Sequence, residues 1–201
     1  MKCIEELLLD KSLVSTYHHK LSEKNLIFYD TETTGILKDF SQILQCGSVL
    51  TDEGLNTLDE QNIGCAPLPW VIPQPMAMIT NKKIDLFKSN ISHYQMMKDL
   101  QMQWKQWSAE NPAIFITYNG HAFDEELVRR QFFWNLLEPY TTNTNGNGRL
   151  DLMLMIHNIA AFFSDEISMP LFEGGPGISY KLEHLAIEHG IDAGDAHDAI
   201  A

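Results

Sequence analysis

The stretch Leu26-Ile27-Phe28-Tyr29-Asp30-Thr31-Glu32-Thr33-Thr34-Gly35 decides how this chain is read. Four apolar residues run into an acid-x-acid step, then two threonines and a glycine. The apolar run has the look of a buried strand that ends where charge begins. Alternate residues of a strand share a face, so Asp30 and Glu32 are expected to present two carboxylates side by side at the strand end. Anions that close repel unless a cation lies between them, and oxygen donors suit a hard ion such as Mg²⁺ or Mn²⁺. Gly35 lets the backbone turn sharply or approach a ligand closely.

Outward from this strand, residues 1–24 read as a helical extension on the domain surface, with His18 and His19 as surface residues. Ser41–Leu50 and about Leu55–Ala66 are two further strands joined by a turn at Asp52-Glu53-Gly54. Pro67, Pro69, Pro73 and Pro75 break regular structure over the surface. Ile91–Ser108 is an amphipathic helix whose Tyr94, Met97, Leu100, Trp104 and Trp107 form a core stripe. Ala113–Tyr118 is a buried strand, and Asn119-Gly120 a turn. Phe123-Asp124 opens a helix that runs to about Asn135. Tyr140–Gly148 is a loop, Leu150–Phe163 a buried helix, and Tyr180–His189 a helix stopped by Gly190. No internal repeat or second domain is evident.

The chain has 201 residues, enough for one domain with a sizeable core. Its formal charge of −13 argues against binding nucleic acid by bulk electrostatics, but not against an enzyme that neutralises one phosphate at a time with metal. Cys3, Cys46 and Cys65 are scattered, without a disulfide framework or zinc spacing, and suit reduced thiols in a cytoplasmic protein. No apolar run is long enough to span a membrane, and the acidic N-terminus is not a secretory signal.

Acid-x-acid alone is common. Haloacid-dehalogenase-type phosphatases also begin with an acid pair, but theirs is Asp-x-Asp, and the downstream lysine and acids are not found here. Three later pieces strengthen the cation reading. Tyr118-Asn119-Gly120-His121-Ala122-Phe123-Asp124 sets a third acid between a strand and a helix, where it would otherwise only complement the helix dipole. Arg149-Leu150-Asp151-Leu152 leads into a helix, with Asp151 a cap or a buried hydrogen-bonded acid. Ala196-His197-Asp198-Ala199 places a histidine near the end of the chain.

With Pro73-Gln74-Pro75, Tyr180-Lys181-Leu182-Glu183-His184-Leu185 and Ala196–Ala201 added, these pieces resemble the DEDD-type 3′–5′ exonucleases. The subgroup is the one with a histidine in its last motif, and within it the exonuclease I branch. The resemblance spans about residues 25–201. It implies an α/β, ribonuclease H-like (exonuclease) fold: a mixed central sheet flanked by helices, with three antiparallel strands first. It further implies two divalent ions, Mg²⁺ or Mn²⁺, held by Asp30, Glu32 and Asp124, with Asp30 bridging both. His197 would be the general base that deprotonates the attacking water, a task its ordinary pKa of about 6.5 suits. Backbone amides around Thr31, Thr33 and Gly35 would hold the terminal nucleotide beside Asn119, and Arg129, Tyr140 and Lys181 would contact the strand. The family usually has arginine where Lys181 stands, and lysine keeps the charge without the two-pronged grip. The expected activity is hydrolysis of single-stranded DNA from its 3′ end to 5′-mononucleotides.

The family's fourth acid falls five residues after the histidine, at position 202, one beyond Ala201. The last helix also stops after one turn. The expectation is therefore a domain cut short, poor in binding the first metal and weakly active or inactive. The alternatives are an exoribonuclease or oligonucleotidase of the same superfamily, and a non-catalytic remnant that binds nucleic acid or protein. The sequence names no protein partner.

Overall fold

The structure is a computed structural model that describes residues 24–162, 168–172 and 175–191. The expected N-terminal helical extension and His197 lie outside the described residues.

Five strands form one mixed sheet in the order β3-β2-β1-β4-β5. β1 (Asn25–Thr33) is central, antiparallel to β2 (Ile43–Thr51), which pairs antiparallel with β3 (Thr57–Gly64). On its other side β1 runs parallel to β4 (Ala113–Thr117), and β4 parallel to β5 (Gly148–Asp151). This is the mixed sheet, with three antiparallel strands first, that the resemblance implied. The apolar run of β1 is buried because strands flank it on both sides and helices cover one face. Ile27, Tyr29, Thr31 and Thr33 alternate inward along that face.

The core lies between this face and two helices, α2 (His93–Trp107) and α3 (Asp124–Trp134). The preceding helix, α1 (Pro75–Asn81), starts at a proline in the supposedly irregular stretch. Proline suits a first helical position, where its missing N–H has no partner to lose. Trp104 is fully buried among the rings of Tyr29, Phe115 and Phe132, with centroids 4.8, 5.2 and 6.1 Å away, and its indole N–H donates to Ser48 Oγ at 2.9 Å. Met97, Leu100, Trp104 and Trp107 are buried as the helical stripe requires, but Tyr94 is half exposed and His93 takes its place inward. The stripe therefore begins one residue off its expected register.

A second expectation is overturned. The apolar segment after Asp151 does form a helix, α4 (Leu152–Phe162), but none of its residues is buried. It leaves from the edge strand β5. Leu154 and Phe162 remain 49% and 78% exposed. Composition indicated a helix, whereas burial depended on what lay alongside. The last described helix, α5 (Leu182–Glu188), ends at His189, and Gly190 then adopts a φ of +69°. No helix among the described residues is long and apolar enough to cross a membrane.

Candidate active site

Asp30 and Glu32 alternate with Tyr29, Thr31 and Thr33, so their side chains leave β1 on the face away from α2 and α3. Directly after Glu32 the β1–β2 register shifts: Glu32 pairs with Gln45, but Thr33 pairs with Ile43. Such a bulge bends the strand and re-aims its end. Beyond it, Thr34 donates its N–H to Gln42 and accepts from the N–H of Gln74, whose side-chain oxygen accepts the N–H of Ile36 at 3.1 Å. The Gln74 side chain lies close against Gly35, where an added Cβ would come within 2.5 Å of its Cδ. The glycine allows this close approach of the Gln74 side chain. Pro73-Gln74-Pro75, recognised in the sequence only as a family mark, buttresses the loop that follows the acids.

Asp124 comes from the other side of the sheet. It is the first residue of α3, only 7% exposed, and accepts a short hydrogen bond from the Thr31 hydroxyl. Three consecutive acids open this helix and favour its positive end, and each has its own partners. Asp124 faces Thr31. Glu125 is buried, accepts from Arg149 Nη1 at 2.6 Å, and lies 3.7 Å from His121 Nε2. Glu126 is gripped by Arg129 and Arg130, and Arg130 also reaches Asp39.

The electrostatics tie Asp30 and Asp124 together. Burial pushes the Asp124 carboxyl up to about 7, and the negative charge of Asp30 is the next cause; the Thr31 hydrogen bond pulls it down. Asp30 keeps access to solvent, yet the protein around its carboxyl removes enough hydration to raise its pKa too. Cys46, which pairs with Thr31 on β2, senses both. Its thiol is raised first by burial, and the charges of Asp30 and Asp124 add to that. Two oxygen-donor carboxylates whose ionisation is disfavoured in this way suit a hard divalent cation. Among the described residues, however, no group of three or more His, Cys, Asp or Glu side chains is arranged to hold a metal. Asp30 and Asp124 are linked through the effect of the Asp30 charge on Asp124, and Glu32 is half-buried on the Asp30 face of the strand.

The other expected site residues are dispersed. Thr31 and Thr33 are buried and their hydroxyls already donate, to Asp124 and to the Gly35 carbonyl. Asn119 sits in the left-handed region at φ +59°, its N–H held by Asp151. Arg129 is bound by Glu126, with its guanidinium 5.9 Å from the centre of the Tyr140 ring. Lys181 is exposed at the start of α5. Asp151 is the buried, hydrogen-bonded acid that the sequence allowed. Glu125 and its Arg149 were not foreseen; the only signal for them was an acid one place past Asp124. A recess of about 830 Å³ lined by Phe40, Trp70, Tyr94 and Trp134 contains none of the three acids.

No protein-family model matches the chain. Among curated proteins it is 29% identical over 184 residues to exodeoxyribonuclease I of Buchnera aphidicola subsp. Schizaphis graminum, and 26% identical over 197 residues to that of Escherichia coli K12. These alignments cover 90% and 89% of this chain but 37% and 38% of the relatives. The chain thus spans well under half the length of the curated proteins it matches. The E. coli exonuclease I structure in complex with a dT13 oligonucleotide superposes with a TM-score of 0.79 and 24% identity, over 88% of this chain and 38% of that one. A zinc-bound form of the E. coli complex with single-stranded DNA matches with a TM-score of 0.78. The sheet order and this superposition establish the ribonuclease H-like exonuclease fold, and over nearly nine-tenths of its length the chain is similar, in sequence and in fold, to bacterial exodeoxyribonuclease I.

Proposed function

We propose that this chain is the nuclease portion of a metal-dependent 3′–5′ exodeoxyribonuclease that removes 5′-mononucleotides from the 3′ end of single-stranded DNA. The observation that carries this reading is the coupling of Asp30 and Asp124. Burial raises both carboxyls, and the charge of Asp30 raises Asp124 further. The sequence likeness to exodeoxyribonuclease I supports the reaction, and the oligonucleotide bound by the E. coli protein supports the substrate.

Asp30, Glu32 and Asp124 would hold the divalent metal, Mg²⁺ or Mn²⁺. Bound there, it would stabilise charge on the attacking and leaving oxygens of the phosphodiester. His197, outside the described residues, is read as the base that takes the proton from the attacking water. The backbone of the Thr31–Gly35 bend supplies N–H groups for the terminal nucleotide, and Asn119 flanks it. Arg129 against Tyr140, together with Lys181, offers cationic and stacking contacts to the preceding bases. The buried free thiols of Cys46 and Cys65 suit a reducing, cytoplasmic setting.

One competing reading is a protein that binds single strands without cutting them, favoured by the lack of a three-ligand cluster among the described residues. Digestion of single-stranded DNA labelled at one end or the other, with Mg²⁺ present, separates the two. Early release of a labelled mononucleotide from the 3′-labelled strand, with a shrinking ladder from the 5′-labelled one, supports the nuclease. Binding with both strands left intact supports the alternative.

A further inference from the structure

Asp151 closes β5 and is 4% exposed. Its Oδ1 accepts the N–H of Asn119 at 2.9 Å, of Met153 at 3.1 Å and of Leu154 at 3.4 Å, while Oδ2 accepts the N–H of His121 at 3.1 Å. The contacts to Asn119 and His121 straddle Gly120. The Gly120 carbonyl in turn accepts the N–H of Phe123 at 3.1 Å and of Glu125 at 3.0 Å, which straddle Asp124. Two forks in series therefore connect the Asp151 carboxylate to Asp124.

There is little play in this linkage. A Cβ on Gly120 would lie 2.6 Å from Thr117 Cβ and 2.9 Å from Asp124 Oδ2. Asn119, at φ +59°, is in the left-handed region, which asparagine tolerates better than most residues and which its surroundings hold in place. Its N–H is anchored to the buried Asp151 carboxylate. An amide at position 151 would turn an NH₂ toward a backbone N–H, donor against donor.

We infer that Asp151 is a positioning residue: through the Asn119–His121 turn it fixes where the Asp124 carboxylate stands relative to Asp30. The inference rests on the reading of Asp124 as a working carboxylate of the nuclease.

The test compares the parent chain with Asp151→Asn and with Leu100→Ala, a core truncation on α2 that serves as a stability control. Three quantities are read: amide hydrogen exchange across residues 119–125, Mn²⁺ affinity by calorimetry, and kcat and KM on a single-stranded oligonucleotide. In Asp151→Asn the amides of Phe123 and Glu125 exchange faster, Mn²⁺ binds more weakly, and kcat drops by about 10–100-fold, the range seen when supporting groups around a metal site are removed. KM stays within a factor of about three, as expected when a change acts on the chemical step rather than on uniform binding. Leu100→Ala, compared at equal fraction folded, shows none of these changes. Should Asp151→Asn fail to fold, Gly120→Ala, which presses on the same linkage, takes its place. Parent-like exchange at Phe123 and Glu125, or the same pattern in Leu100→Ala, would overturn the positioning role. A parent chain that neither binds Mn²⁺ nor cleaves DNA would defeat the nuclease reading instead, leaving the exchange data to decide the role of Asp151.

Discussion

The Thr31 hydroxyl on β1 donates to the carboxylate of Asp124 at the start of α3, 93 residues further along the chain. This buried contact joins the strand that carries Asp30 and Glu32 to the helix that carries Asp124. It is also the largest influence lowering the pKa of Asp124 against burial and the Asp30 charge. Thr31→Val keeps the side-chain shape and removes the donor. It should cost about 1.5–3 kcal/mol, the usual worth of a hydrogen bond to a charged group, measured by urea unfolding near pH 8. Nuclease activity should fall more steeply than stability. A variant with parent activity would show that Asp124 needs no such tether.

The core should respond at Trp104, which packs on three rings and donates to Ser48. Trp104→Ala is expected to cost about 3–5 kcal/mol, combining lost transfer energy with a residual cavity and leaving the Ser48 hydroxyl without its donor. Chemical denaturation monitored by circular dichroism measures this. A loss under 1 kcal/mol would mean that the aromatic cluster is not the centre of the core.

The placement of the candidate residues was legible in the sequence wherever local chemistry settles the matter. β1 could be read because an apolar run followed by alternating acids has few other uses, and Asp124 because an acid between a strand and a helix stands at the positive helix end. The bulge after Glu32 could not be read, since it depends on how β2 meets β1 across the turn. Neither could the exposure of α4: its composition is that of a buried helix, but burial is set by neighbours that a periodicity does not reveal. The role of Asp151 was half legible. Its being capped or bonded was foreseen, but its hold on a turn 30 residues earlier is tertiary information.

A pH dependence resides in His93. Its ring is buried on α2, with Nε2 2.7 Å from Gln131 Oε1 and Nδ1 3.2 Å from Asn135 Nδ2. Gln131 Oε1 also accepts the N–H of Ile43 at 2.9 Å, so Nε2 carries the proton and Nδ1 accepts. Burial lowers the pKa of His93 below its ordinary value, partly opposed by Gln131. Between that lowered value and about 6.5 the unfolded chain binds the extra proton and the folded chain does not. The stability associated with neutral His93 is therefore fully present above about pH 6.5, and it is lost as pH falls through the folded pKa. Thermal melts across pH 7.5 to 5 should show this loss in the parent and a flatter profile in His93→Gln, read as the difference between the two. Parallel profiles would assign the acid sensitivity elsewhere.

Leu136 is 94% exposed and held at φ +58°, a left-handed conformation that a leucine adopts at a cost of about 1–2 kcal/mol. Leu136→Gly relieves that strain and loses part of the gain to the greater freedom of the unfolded chain. A net stabilisation of up to about 1 kcal/mol is expected. A clear drop in melting temperature would show that the leucine makes a contact worth more than its strain.

The central claim is that Asp30 and Asp124 serve one cation. Calorimetric titration of Mn²⁺ into the parent chain, Asp30→Asn, Asp124→Asn and the double variant tests it most directly. The account predicts measurable binding in the parent, a large loss in each single variant, and little further loss in the double, because both carboxylates hold the same ion. Independent, additive losses, or a parent that binds no Mn²⁺, would contradict it.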